Sequence, residues 1–184
     1  MGKLFLKSGD ITSDSFLSLA DAIVNPTNPM MRCGAGVSGS IFRKAGVDLL
    51  ETYTERKFGI SYYNKPGENE MKVTDVRITP GFNLPCDIIF AQGPRIWDYE
   101  DYNVAEQLLL NTYINVFMIA VQKGYKSILV PALGTGDYGF SHEQLAPKIM
   151  SFICRVIDDL PFDIYYVLFD ADTENLYWNY VNIS

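Results

Sequence analysis

Cysteine is scarce in this chain and histidine is nearly absent: Cys33, Cys86, Cys154 and a lone His142 among 184 residues. An odd number of widely spaced cysteines with no Cys-x-x-Cys pair argues against a disulfide framework and against a structural zinc site. No metal and no cofactor are expected, and a reducing, cytoplasmic setting is. Basic residues are also few, 15 against 22 acidic ones, for a formal net charge of −7. A duplex nucleic acid needs clustered Lys and Arg, so no DNA partner is expected. Residues 1–10 carry no apolar run of signal-peptide length, and Leu6 breaks the myristoylation pattern that Gly2 begins. The longest apolar stretch, 116–121, is too short to span a bilayer, so no membrane partner is expected. Repeats, low-complexity segments and Gly/Ser linkers are missing too. One domain over residues 1–184 is the expectation.

What is present suits a sizeable core: 48% hydrophobic residues, with twelve tyrosines and eleven phenylalanines. Four short runs are continuously apolar, as strands buried on both faces are: 22–24, 88–91, 128–130 and 165–169. Residues 4–6 and 76–78 are weaker strands, expected near sheet edges. Helical periodicity marks 103–123, closed by Gly124, and 141–158, opened by Ser141 and Gln144 at capping-box spacing. Pro147 removes one backbone donor from that second helix. Residues 37–45 and 47–57 predict two helices broken at Gly46, and the polar stretch 59–72 predicts an exposed loop. His142 is expected to sit exposed in a first helical turn. Strand, glycine-rich turn and helix thus recur, the pattern of a layered α/β domain whose crevice lies beyond the carboxyl ends of its strands.

Two segments fit Gly-x-Gly-x-x-Gly: Gly34-Ala35-Gly36-Val37-Ser38-Gly39 and Gly134-Thr135-Gly136-Asp137-Tyr138-Gly139. Each precedes a helix and so can aim unpaired N–H groups at phosphate oxygens without any cationic side chain. A dinucleotide fingerprint does not follow from them. That motif needs its glycines directly after a first strand and an acid at the end of the next. The first segment instead follows Pro26 and Pro29, and the acids some twenty residues on, Glu51 and Glu55, lie on a helix. After the second segment only one strand remains. A P-loop is excluded because no Gly-Lys-Ser/Thr occurs.

Taken in order, Gly9-Asp10-Ile11-Thr12, Asp21-Ala22-Ile23-Val24-Asn25-Pro26-Thr27-Asn28, residues 34–46, residues 79–85 and residues 134–140 resemble the signature segments of the macro domain family. The resemblance covers nearly the whole chain. It implies a three-layer α/β/α sandwich around a central mixed sheet, with ADP-ribose or an ADP-ribosylated protein as partner. It further implies that Asp10, beside Ile11, accepts from the adenine amino group, and that Phe169 packs on adenine. Backbone amides of Gly34, Gly36, Val37 and Ser38 would face those of Gly134, Thr135, Gly136 and Asp137 across the diphosphate. Tyr138 would pack against the distal ribose, and Asn28 would contact its hydroxyls and help place the attacking water. Asn25 reads as a structural residue that caps its strand end through backbone bonds.

The family contains both hydrolases and binding modules, and this chain departs from the hydrolase patterns. One branch carries an Asp ten residues after the second Asn, where this chain has Ser38. A serine is no general base near neutral pH without a partner. Another branch uses a mid-chain Lys, and none occurs in 86–97. Asp137 in the second segment is the carboxylate that compensates, making Asn28 and Asp137 the catalytic candidates. The readings carried forward are a hydrolase acting on a mono-ADP-ribosylated protein or an ADP-ribose ester or phosphate, a non-catalytic ADP-ribose reader, and a single-stranded RNA or poly(A) binder.

Overall fold

Strands that are apolar on both sides must be covered on both sides, and this decides the order of the sheet. The computed structural model describes residues 1–60 and 68–181. Within them the strands β1 (Leu4–Ser8), β2 (Ala22–Pro26), β3 (Val76–Thr79), β4 (Asp87–Ala91), β5 (Ser127–Pro131) and β6 (Asp163–Leu168) form one sheet. Their order is β1-β6-β5-β2-β4-β3. The four continuously apolar runs are the four interior strands, and the two weaker ones are the edges. Pairing is parallel except between β3 and β4, so the sheet is mixed.

Alternation along the strands separates two cores. Ala22, Val24, Ile128, Val130, Ile164, Tyr166 and Leu168 face one layer. It is built from α4 (Tyr102–Lys123), α5 (His142–Val156) and α6 (Ala171–Trp178). Ile23, Ile88, Phe90, Leu129 and Val167 face the other. That layer holds α1 (Asp14–Leu17), α2 (Gly36–Ala45) and α3 (Val47–Phe58). A three-layer α/β/α sandwich results. By length and composition α4 could cross a membrane. Its Ala105, Leu109, Tyr113, Val116 and Ala120 are instead fully buried in the core shared with the sheet.

Two helices carry little sequence signal. The four-residue α1 is too short to show a period, and α6 buries only Tyr177. A capping signal does mark α6, since Asp170 accepts from Thr173 N at 2.8 Å. Helix α5 ends at Val156, with a 3-10 turn taking up Ile157–Asp159. Half of the expected loop 59–72, residues 61–67, lies outside the described residues. Its described ends are not exposed throughout: Ile60 and Met71 are buried among Ile41, Leu50 and Phe90.

Candidate functional site

Where parallel strands end, their backbone groups stop pairing and a crevice opens. Here a cleft of about 370 Å³ lies beyond the carboxyl ends of β2, β4, β5 and β6. Its walls include Asn28, Gly34, Gly36, Val37 and Ser38 on one side and Gly134, Thr135, Gly136, Asp137 and Tyr138 on the other, with Phe169 at the β6 end. The two glycine-rich segments, nearly a hundred residues apart, therefore meet over one space. Asp10 and Ile11 are not among its lining residues. Ile11 is buried in the α2/α3 core, and Asp10 is exposed, with its Oδ1 accepting from Thr12 N at 2.8 Å and Thr12 Oγ1 at 2.7 Å and no hydrogen bond to its Oδ2 among the described residues. Those bonds to Thr12 hold the Asp10 carboxyl below its ordinary range.

The first segment is mostly helix. Helix α2 begins at Gly36, with Ala35 as an N-cap that offers no side-chain bond. By contrast Ser13, Asp101, Ser141 and Asp170 each cap their helices. The first amides of α2 have no partner within the helix, and none from its cap, so they face the cleft as free donors at the positive end of a helix dipole. Gly39 serves packing instead: a Cβ there would collide with the Gly34 carbonyl oxygen and approach Arg43 Nη1 at 2.9 Å.

The second segment is a true loop. Phe140 N bonds back to Gly134 O at 3.0 Å, closing it. Gly139 sits at φ +87°, and a Cβ there would strike the Trp97 ring. Tyr138 is half-buried rather than a loose turn tyrosine. Its hydroxyl accepts from Gln92 Nε2 at 3.0 Å and lies 3.3 Å from Thr27 O, joining the loop to the ends of β2 and β4. Asp137 stays exposed on the cleft wall.

Asn28 is fixed by its own turn. Its Nδ2 donates to Arg32 O at 2.8 Å and its Oδ1 accepts from Arg32 N at 3.1 Å. A carboxamide has two donors and two lone pairs, so one of each is left for a ligand. Behind it Glu51 accepts from Cys33 N at 2.9 Å and pairs with Arg32 at 3.3 Å. Glu51 is thus a structural clamp. Asn25 does not cap its strand end as expected. It lies inside β2, fully buried, and neither side-chain polar atom has a hydrogen-bond partner among the described residues. Ser38 Oγ is unpartnered in the same way. Strand alternation places Asn25 on the face of Ile23, which α2 covers. Phe169 falls one residue beyond β6 and is 88% exposed, so it is not a core aromatic.

Gly93, Leu133 and His142 line the cleft without a signal in the motifs. His142 is half-buried, not simply exposed, because its Nδ1 lies 3.1 Å from the Tyr177 hydroxyl. Among the described residues no group of three or more His, Cys, Asp or Glu could hold a metal ion. No Lys or Arg lines the cleft either. Any anion held there would be held by backbone and dipoles.

The macro domain family model matches residues 24–149, more than half of the chain. The chain belongs to the macro domain family. This macro domain is 37% identical over 175 residues to an O-acetyl-ADP-ribose deacetylase of Citrobacter rodentium, covering 92% of this chain and 89% of the relative. A protein of the same name from Escherichia fergusonii is 35% identical over 180 residues, covering 95% and 93%. Among solved structures, the Oceanobacillus iheyensis macrodomain with ADP has a TM-score of 0.79 at 29% identity, covering 95% of this macro domain and 87% of that chain. A mutant of it with ADPR gives the same TM-score and identity, covering 95% and 89%.

Proposed function

We propose that this macro domain binds ADP-ribose and hydrolyses an ADP-ribose adduct, with O-acetyl-ADP-ribose the first ester to try. The observation that carries the reading is the uncapped N-terminus of α2 facing a glycine loop across a cleft lined by no Lys or Arg among the described residues. That arrangement fits a diphosphate, whose oxygens accept from backbone amides and whose charge suits a helix N-terminus. The named deacetylases, matched over nearly their whole length, support an ester as substrate.

In this reading the adenosine half lies toward Phe169 and the distal ribose toward Asn28, Asp137 and Tyr138. Hydrolysis needs a water held against the acyl carbon and a group to take its proton. Asp137 supplies the carboxylate, while the remaining Asn28 donor and acceptor hold the ribose hydroxyl or the water. Calorimetric titration with ADP-ribose, paired with acetate release from O-acetyl-ADP-ribose, tests both halves. Binding with turnover is expected. Binding without turnover would make the chain a reader, and no binding at millimolar ligand would overturn the proposal.

A further inference from the structure

His142 is the chain's only histidine, and the motifs give it no role. It opens α5 because Ser141 Oγ accepts from Gln144 N at 3.2 Å and fixes the helix start. Its ring is held from behind through Nδ1 by Tyr177, while the residue lines the cleft. Nε2 has no hydrogen-bond partner among the described residues.

Tyr177 belongs to a row of buried tyrosines. Its ring packs 5.5 Å from that of Tyr166, whose hydroxyl lies 2.9 Å from that of Tyr113. Tyr113 Oη in turn accepts from Leu133 N at 2.9 Å. All three phenols are fully buried, on α4, β6 and α6. Both ends of this row reach the cleft wall, at Leu133 and at His142. Each phenol owns one proton to give. Tyr113 accepts the Leu133 amide. Its own proton goes to Tyr166 at 2.9 Å rather than to Pro131 O at 3.4 Å, which is long for an O–H donor. The Tyr177 hydroxyl meets His142 Nδ1 at 3.1 Å, and a proton given there requires that nitrogen to be unprotonated.

We propose that His142 is a ligand-binding residue, fixed by the Tyr177 hydroxyl as its Nε2–H tautomer and donating from Nε2 to an oxygen in the nucleoside half of the bound nucleotide. The inference rests on the ADP-ribose reading of the cleft. Its place in the cleft selects the nucleoside half, since Val167, Leu168 and Phe169 at the end of β6 line the same cleft and α6 brings Tyr177 there. Neutrality suits the setting, because burial lowers the ring's proton affinity against the opposing charges of Glu143 on its own helix and Asp170 at the α6 cap. A neutral donor needs no proton uptake when the ligand binds.

The test combines nitrogen NMR of the single imidazole with titrations of ADP-ribose and ADP into wild type, His142→Ala, His142→Gln and Tyr177→Phe. The spectrum should show Nε2 protonated in the free protein at neutral pH, and Tyr177→Phe should mix the two tautomers. His142→Ala should weaken ADP-ribose and ADP equally, by about 5- to 10-fold, as expected for one hydrogen bond. His142→Gln, which offers an N–H near the Nε2 position, should recover most of that loss. A ring protonated at Nδ1, or wild-type affinity in His142→Ala, would overturn the proposal. A loss confined to ADP-ribose would overturn it too, by moving the contact to the distal ribose. No binding by the wild type would remove the ADP-ribose reading itself, whereas wild-type affinity in the variant removes only the role of His142.

Discussion

The two glycine-rich segments share a spacing and differ in almost everything else. In 34–39 the motif runs into a helix: Gly36 is its first residue, and Gly39 lets the turn behind it close against Gly34. In 134–139 it stays a loop, closed by Phe140 to Gly134 and pressed against Trp97 at Gly139. One segment contributes a helix dipole and free amides, while the other contributes a fixed wall with a carboxylate and a tyrosine on it. A shared pattern of glycines therefore states where side chains are unwelcome, but not what backbone they serve.

The largest effects should come from the glycines that break this comparison if changed. Gly39→Ala pushes a Cβ into a carbonyl oxygen, and Gly139→Ala combines a positive φ with a clash on Trp97. Each should cost roughly 2–3 kcal/mol of stability, read as a lowered urea midpoint. Equal losses would show that both segments depend on close approach; an unaffected Gly39→Ala would confine that need to the loop.

Chemistry should divide the segments more sharply than stability does. Asp137→Ala is expected to lower turnover of O-acetyl-ADP-ribose by about 100-fold or more while ADP affinity holds, as for loss of a positioned base. Ser38→Ala should leave turnover within a few-fold. It removes a buried hydroxyl with no partner, so stability should stay level or rise by up to about 1 kcal/mol. The reverse ranking in a steady-state assay would move the catalytic role to the first segment.

Tyr138→Phe removes the bonds to Gln92 and Thr27 that tie the loop to the strand ends. A loss of about 1 kcal/mol is expected in chemical denaturation, with amide exchange faster in 134–139 than in 34–39.

The smallest effect is a pH dependence. Burial lowers the His142 pKa below its ordinary 6.5, so between the two values the unfolded chain binds more protons than the folded one. Stability should thus be complete above about pH 6.5 and decline as the pH falls below it. Because no second histidine contributes, the difference between wild type and His142→Gln in thermal midpoint at pH 7.5 and 5.5 isolates the contribution of this ring. A midpoint difference that ignores pH would contradict the burial of this ring.

Much of the architecture was legible in the residues. Continuous apolar runs marked the interior strands, and glycines at 46 and 124 marked helix ends at φ +101° and +71°. The facing of the two segments was legible only through motif order, and what lay outside the motifs was missed. Nothing near His142 in sequence indicates Tyr177, thirty-five residues away on a helix with almost no apolar period. Asn25 looked like a strand-end cap because a chain position does not reveal which face its side chain takes.

By itself the sequence determined the elements and their layers, since hydrophobic period and glycine placement act over a few residues and need no partner. Only the tertiary structure decided that α2 starts uncapped at Gly36 and that Asn28 keeps half its hydrogen-bonding capacity. It alone brings the Tyr177 hydroxyl to within 3.1 Å of His142 Nδ1 at the cleft wall. Those outcomes depend on groups far apart in the chain, whose meeting is fixed by the register and crossing of the sheet rather than by local propensity.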